Sequence, residues 1–348
     1  MFTQIAEGDV KLFVPKETKI SKELPVFYNP VMRRNRDLSI LLLKALQPTP
    51  VNWVVGLPLA GTGVRAMRFL KELPSQMIER IDVNDHSKEA VDLIKENLKL
   101  NNLLGDERIN ISCLDANTFL QQSTGYHYID IDPFGSPNPF LDRSIVRLSR
   151  GGILAISATD TAALCGAYPK VCRRKYWAEN RKGVRQHERG LRILIRKVQL
   201  IAAQYDKALI PVFSYWHEHY FRVFFRCTKS REEVDKVLRQ QGEMDGFGPL
   251  WLGSLFDPSL VVKMHDLAAQ GETKKFLALL VEESAVNVAR YFDLHEYAQR
   301  KGRNPPSTKA VIAALKTKGY QAARTHLCVT GLISDAPFDV IEKVIEGL

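Results

Sequence analysis

The chain is poor in cysteine, and it has no apolar run long enough to concern a membrane. Its five cysteines, Cys113, Cys165, Cys172, Cys227 and Cys328, are odd in number and never spaced C-x-x-C. That pattern excludes a disulfide framework and a zinc knuckle, and predicts reduced, buried thiols in a cytosolic protein. The most apolar short stretch, "LSILLLKAL", falls far short of the roughly 20 residues that cross a bilayer. The opening "MFTQIAEGDVKLFVPK" has no apolar leader core. Internal repeats and low-complexity tracts are also missing. Negative charge is in deficit: 49 Lys and Arg face 39 Asp and Glu, a formal charge of +10. Such a balance suits a polyanionic partner, nucleic acid above all.

What is present, over 348 residues, suggests about two domains. From Val51 short apolar strands alternate with longer amphipathic stretches. "NWVVGL", "ERIDVND", "RINISCLD", "GYHYIDID" and "GGILAISATD" read as strands. "GVRAMRFLKEL" and "SKEAVDLIKENLKLNN", the latter capped by Ser87, read as helices. This alternation predicts right-handed βαβ units on a parallel sheet. A long helix over about 184–205 then leads to "KALIPVFSYW" and "HYFRVFFRC". Their short connection requires antiparallel pairing, and the aromatic-basic alternation of the second predicts a half-buried strand. Five parallel strands ending in such a hairpin give the α/β class I, Rossmann-like methyltransferase sheet. The charged stretch 229–236 reads as a boundary. Beyond it, "VEESAVNVARYFDLHEYAQRKG" and "STKAVIAALKTKGY" predict two helices, the second started by Pro305, Pro306 and Ser307, and with "RTHLCVTG" they suggest a helix-turn-helix-like module.

The first strand runs into "GLPLAGTGVRA". Gly61-x-Gly63-x-x-Ala66 permits a tight turn and close backbone approach at a helix N-terminus. Asp85, ending the second strand, stands where an acid meets ribose hydroxyls. A ribose-bearing cofactor is implied, either NAD or S-adenosylmethionine. After the third strand, Asp115 and Ala116 occupy the place where methyltransferases hold adenine, with a helix N-cap as the other reading of Asp115. These positions end consecutive strands and so share one crevice.

The fourth strand ends in "IDIDPFGSPNP". An exocyclic amine on a base is a weak nucleophile, because its lone pair is delocalised into the ring. Two acceptors facing its N–H groups orient that lone pair and draw off charge as a methyl arrives. Asp132 offers a carboxylate, Pro133 a rigidly placed carbonyl, and Phe134 a stacking ring, with Gly135 turning the chain away. Hydride transfer has no use for this trio. Asp130 is assigned to the opposite face of the strand and to a structural role.

"DIDPFGSPNPFLDRS", "GGILAISATDTAALCG", "FYNPVMRRNRDLS", "RGLRILIRKVQLIAAQYDKALIPVFSY", "GPLWLGSLFD" and "RTHLCVTGLISDAP" resemble the tRNA guanine-26 N2-dimethyltransferase family along nearly the whole chain. The resemblance implies two methyl transfers from S-adenosylmethionine to the guanine amine at tRNA position 26. It implies an N-terminal arm at 1–47 contributing to the active site, a methyltransferase domain at 48–230, and a smaller α/β C-terminal domain at 231–348 that binds tRNA. Carried onto this sequence, it has Arg36 and Arg65 touch the cofactor and Asp85 hold its ribose. Asp115 and Ala116 face the adenine, and Phe27 sandwiches the guanine against Phe134. Two departures stand out. Paired cysteines common before "GPLWLGSLFD" are replaced by "RQQGEMDGF", so no metal is expected, and Pro58 stands where relatives have small residues.

Eleven basic residues fall between Lys170 and Lys197, with Tyr168, Tyr176 and Trp177 among them and only Glu179 and Glu188 opposing. Arg173, Arg174 and Lys175 are assigned to phosphate contact. From Arg189 onward a solvated helix face is the alternative. Arg33 and Arg34, beside Arg36, are assigned to RNA. In the tail, Arg300, Lys301, Arg303, Lys309, Arg324 and His326 are candidates for the tRNA arms. A cytoplasmic monomer is expected. The rivals are an NAD dehydrogenase, an amino-methyltransferase of ribosomal RNA or DNA, and an inactive RNA-binding protein.

Overall fold

In the computed structural model the described residues are 2–16, 26–46, 52–286 and 288–348. The boundary expected between 47 and 48 lies outside them. The chain forms two compact units. The first holds Met1–Thr159, Ile201–Ile210 and Phe224–Glu233; the second holds Asp160–Leu200, Pro211–Val223 and Val234–Leu348.

The first unit opens with an antiparallel hairpin, β1 (Phe2–Glu7) and β2 (Val10–Pro15). Val10, Leu12 and Val14 alternate inward, and Gly8 turns the chain at φ +56°. Helix α1 (Arg33–Leu46) carries the apolar "LSILLL". Next in the chain come β3 (Trp53–Leu57), α2 (Val64–Glu72), β4 (Ile78–Asn84), α3 (Lys88–Leu100), β5 (Ile109–Ser112), α4 (Ala116–Gln122), β6 (Tyr126–Ile131), α5 (Asn138–Arg147) and β7 (Leu148–Ala158). β3 pairs in parallel with β4 and β6, β4 with β5, and β6 with β7. The strands are near-continuous apolar runs because a parallel sheet is covered on both faces. Ser87 caps α3 as the sequence predicts, accepting from the Ala90 N–H at 3.2 Å. Asn97 on α3 and Asn101 at its C-cap bond the main chain of Phe13 and Lys11, which fastens the hairpin to the helix.

Helix α8 (Gln186–Ala203) leads to β8 (Lys207–His217) and β9 (Tyr220–Lys229). The seven strands neighbour one another in the order β5-β4-β3-β6-β7-β9-β8. Two strands separated by two residues must run antiparallel, so the closing hairpin expected from the sequence is present. β9 departs from the half-buried expectation: it is buried on both faces, and Arg222 is fully buried with it.

The second unit contains α6 (Thr161–Leu164), α7 (Pro169–Tyr176) and most of α8. The charged stretch read as a boundary folds mainly as α9 (Arg231–Arg239). Beyond it lie β10 (Gln241–Met244), β11 (Phe247–Trp251), α10 (Pro258–Leu267), α11 (Glu272–Val286), β12 (Phe292–Asp293), α12 (Leu294–Lys301), α13 (Thr308–Thr317), β13 (Ala322–Thr325), β14 (Cys328–Ser334) and α14 (Phe338–Glu346). The single helix expected over "VEESAVNVARYFDLHEYAQRKG" is instead the end of α11, a short strand and α12. Arg290 takes a left-handed φ of +79°, and the Asp293 side chain restarts the helix by accepting from the N–H groups of His295 and Glu296. "RTHLCVTG" is the end of β13, a turn at His326 and Leu327, and the start of β14, so the module is not all-helical. β12, β14 and β13 form an antiparallel sheet. Leu332 of that sheet shares a core with Tyr297, Val311, Leu315, Ile341 and Ile345 of the helices.

Arg192 and Glu188 form a buried i,i+4 pair at 3.0 Å. Arg192 also donates to the carbonyls of Trp251 and Gly253, and Glu188 accepts from the main chain of Arg290 and Tyr291. Much of the basic run from Arg189 onward is therefore interior rather than a solvated face. All five cysteines are free thiols; Cys113 is exposed and Cys328 half-buried, against the expectation of burial. No described helix is long and apolar enough to cross a membrane.

A candidate active site in the first unit

The C-terminal ends of β3, β4 and β6 open onto a cavity of about 570 Å³. Of the residues singled out in the sequence, Phe27, Arg36, Gly61, Arg65, Asp85, Asp115, Ala116, Asp132, Pro133 and Phe134 all line it. Gly63 stands just behind the wall as the N-cap of α2.

The glycine turn is required by space as well as by torsion. Gly61 has φ +54°, and a Cβ there would lie 2.8 Å from the Phe27 carbonyl oxygen. Gly63 has φ +76°, and its Cβ would meet Ile94 at 3.1 Å. Pro58 is accommodated: its carbonyl accepts from Asn84 Nδ2 at 3.0 Å, and the Ala60 N–H bonds the Asn84 carbonyl at 2.9 Å. Asp85 braces the turn, one oxygen accepting from the Gly61 N–H at 2.9 Å and the other from the Ser87 N–H at 3.1 Å. No side chain caps α2, so its first amides are open to an anionic ligand group. Thr62 Oγ1, in the same wall, is buried without a hydrogen-bond partner among the described residues. Asp115 does cap α4, through Oδ1 and the N–H groups of Asn117 and Thr118.

Asp132 is not alone. Arg65, almost fully buried, reaches Asp132 Oδ2 at 2.8 Å and Asp130 Oδ2 at 3.2 Å. Its remaining donors bond Ser39 Oγ and Asn35 Oδ1, and Asn35 is held by Ser157. Asp130 also accepts from the Tyr128 hydroxyl at 2.6 Å. This corrects the assignment of Asp130 to the opposite face. Residues two apart on a strand point the same way, so Tyr128, Asp130 and Asp132 form one row.

Arg36 is gripped bidentately by Glu7 at 2.6 and 2.5 Å and lies over the Tyr28 ring, whose hydroxyl donates to the same carboxylate at 2.8 Å. Arg68 adds a third contact to Glu7 at 3.0 Å. Burial alone would raise the Glu7 carboxyl, but the hydrogen bond and charge of Arg36, helped by Tyr28 and Arg68, hold it down at about 2. Burial and the Glu7 charge push Tyr28 up to about 12. Sequence reasoning missed Glu7, Tyr28 and Asn35. The one available signal was alternation around "EGDV", which marks a tight hairpin carrying Glu7 inward.

Phe27 and Phe134 meet edge to face, with ring centroids 4.0 Å apart and planes at 63°. A base between two rings needs roughly 7 Å, twice a van der Waals contact, so the expected sandwich is closed in this structure. Gly135, at φ +77°, turns the chain away and is held by Thr159.

Arg33 is exposed at the start of α1, and Arg34 is half-buried. In the second unit Arg173 and Arg174 are exposed on α7. Arg173 is paired with Glu179, and Lys175 lies 3.6 Å from Asp160. Arg324 is exposed on β13. Tyr176 is core, donating to Asp160, whereas Tyr168 and Trp177 are exposed. His326 is withdrawn from the tail candidates: its side chain is buried against Glu283 at 2.7 Å. Arg300 and Lys301 pair with Glu342 and Glu346.

A family model described as N2,N2-dimethylguanosine tRNA methyltransferase matches residues 8–246 and 240–346. The chain is 38% identical to the tRNA (guanine(26)-N(2)/guanine(27)-N(2))-dimethyltransferase of Aquifex aeolicus, over 99% of this chain and 96% of that one. It is 37% identical to the tRNA (guanine(26)-N(2))-dimethyltransferase of Thermococcus kodakarensis, over 99% of both. Among solved structures, Trm1 from Pyrococcus horikoshii in complex with S-adenosyl-L-methionine superposes with a TM-score of 0.88 at 32% identity, covering 99% of each chain.

Proposed function

The chain belongs to the N2,N2-dimethylguanosine tRNA methyltransferase family, and on that premise we propose that Asp132, Pro133 and Phe134 present the guanine it methylates. The enzyme transfers methyl groups from S-adenosylmethionine to the exocyclic N2 of guanine 26 in tRNA, giving N2-methyl- and N2,N2-dimethylguanosine.

The cavity suits S-adenosylmethionine on three counts. Among the described residues, its glycine turn leaves no room for side chains, Thr62 Oγ1 lacks a partner, and five carboxylates, those of Asp85, Glu89, Asp115, Asp130 and Asp132, line it against the two guanidinium groups of Arg36 and Arg65 and the imidazole of His86. An acidic lining favours a sulfonium cation and disfavours the pyrophosphate of NAD. The Gly61 turn and the open amides of α2 would receive the amino acid end, Asp85 the ribose, and Asp115 with Ala116 the adenine. When bound, the cofactor supplies an electrophilic methyl group.

The residues around it do the rest. One Asp132 oxygen is tied to Arg65, so the carboxylate is fixed as an acceptor for the guanine N2–H, and the Pro133 carbonyl receives the other hydrogen. Together they turn the nitrogen lone pair toward the methyl and stabilise the charge that grows on nitrogen. Phe134 and Phe27 part to take the ring between them, which excludes water from the amine. Arg33, Arg34, Arg173, Arg174, Lys175 and Arg324 contact tRNA phosphates. The tRNA substrate and the free thiols support a cytoplasmic enzyme.

The observation that carries this reading is the shared cavity: the trio after β6 opens onto the same space as the glycine turn, Asp85 and Asp115. The test is mass spectrometry of tRNA nucleosides after incubation with S-adenosylmethionine. We expect both methylated guanosines at position 26 from the wild type. Asp132→Ala should lose roughly 100- to 1,000-fold in turnover, the scale of one oriented electrostatic contact, with cofactor affinity nearly intact. Wild-type turnover in that variant would remove Asp132 from the mechanism.

A further inference from the structure

Trp177 is placed at a cost. It ends α7 in the left-handed conformation, φ +55° and ψ +37°, a position that glycine normally takes and that strains a bulky residue. Its indole is also 51% exposed. Two basic side chains of α8 hold it there. Lys197 Nζ lies 2.8 Å from the ring centroid, and Arg196 Nη1 donates to the Trp177 carbonyl at 3.3 Å.

Lys197 is itself 5% exposed, and no carboxylate partners it among the described residues. Burial, with the neighbouring Arg196 charge, pushes its ammonium down to about 8. The indole therefore has one face backed by a lysine and substantial area open to solvent. A cation under one face of an aromatic ring stiffens it and offsets its strain.

The surroundings select the occupant. Lys170 and Arg174 are four residues apart and share one face of α7; both are exposed, as is Trp177 at its C-cap. Neither Lys170 nor Arg174 has an ion-pair partner among the described residues. Glu179 is committed to Arg173, and Asp160 to Tyr176 and Lys175. An exposed ring beside uncompensated cations fits a ligand that is planar at one end and anionic at the other.

We propose that Trp177 is a stacking platform for an unpaired nucleobase of tRNA, distinct from the methylation pocket, with Arg174 and Lys170 taking the adjoining phosphates. The inference rests on the reading of tRNA as substrate. It adds a second, sequence-tolerant grip on a single-stranded nucleotide, since every base offers a π-face.

The experiment uses the full chain, with Trp177→Leu and Trp177→Phe. Trp177 is the most exposed tryptophan, since Trp53 and Trp251 are buried and Trp216 half-buried. Its fluorescence is read as the difference between wild type and Trp177→Leu. Titration with a short single-stranded RNA should quench this difference signal, whereas a blunt duplex of equal length should not. For tRNA, Trp177→Leu should raise the Kd and the KM about tenfold, and Trp177→Phe should restore most of the loss. Equal quenching by duplex and single strand, or an unchanged tRNA Kd in Trp177→Leu, overturns the proposal. If the wild type makes no methylated guanosine, the functional reading fails, yet the single-strand titration still decides the platform. If the wild type is active and Trp177→Leu binds tRNA as tightly, only the platform falls.

Discussion

Single residues explain the most about this site, and not all of them were visible in the sequence. Asp132 was legible because proline, phenylalanine and glycine come directly after it at a strand end. Glu7 was legible at most as an inward position of a tight hairpin, since nothing in the sequence shows that its carboxylate is buried between Arg36 and Arg68. Its carboxyl titrates near 2 when folded against an ordinary value of 4.5, a difference worth about 3 kcal/mol. That stabilisation is complete above about pH 4.5 and drains away as pH falls toward 2. Glu7→Gln should therefore unfold more easily in denaturant at pH 7 by about 3 kcal/mol, with the gap from wild type narrowing steadily below pH 4.5. A gap that stays constant with pH would mean that charge is not the cause. Gly61→Ala is the other informative change. The added methyl meets the Phe27 carbonyl at 2.8 Å in a backbone that disfavours any Cβ. S-adenosylmethionine binding, measured by calorimetry, should weaken at least tenfold; wild-type affinity would show that the turn yields without consequence.

At the level of elements, periodicity served where packing was regular and failed where a side chain overruled it. Strands β3 to β7 and helices α2 and α3 could be read from alternation and from Ser87. The interruption between α11 and α12 could not, because "VEESAVNVARYFDLHEYAQRKG" contains no internal glycine or proline to announce it. The stop depends on Arg290 turning left-handed and on Asp293 capping α12. Helix α7 yields a graded expectation. Arg174 has no ion-pair partner among the described residues, whereas Arg173 is already neutralised by Glu179. Arg174→Ala should lower the slope of log tRNA affinity against log salt by nearly one contact's worth, about 0.7 to 0.9. Arg173→Ala should change it less. Equal slopes for both variants and the wild type would take α7 out of the interface.

For the whole molecule, the parallel strands and the closing antiparallel hairpin were accessible because parallel strands need long crossovers and the last two strands have almost none, whereas the order β5-β4-β3-β6-β7-β9-β8 is read from the structure. The passage of the chain between its two units was not legible. Residues 160–200 group with the second unit, yet no shift in composition marks residue 160. The formal charge of +10 sets the tone for RNA affinity, but the cavity of the first unit has the opposite character, with five carboxylates against two guanidinium groups. Such a wall grips a positively charged donor more firmly than the neutral thioether left once its methyl has gone. We expect the acidity of the pocket thereby to favour the exchange of spent donor for fresh that a guanine needing two successive methyl groups has to await.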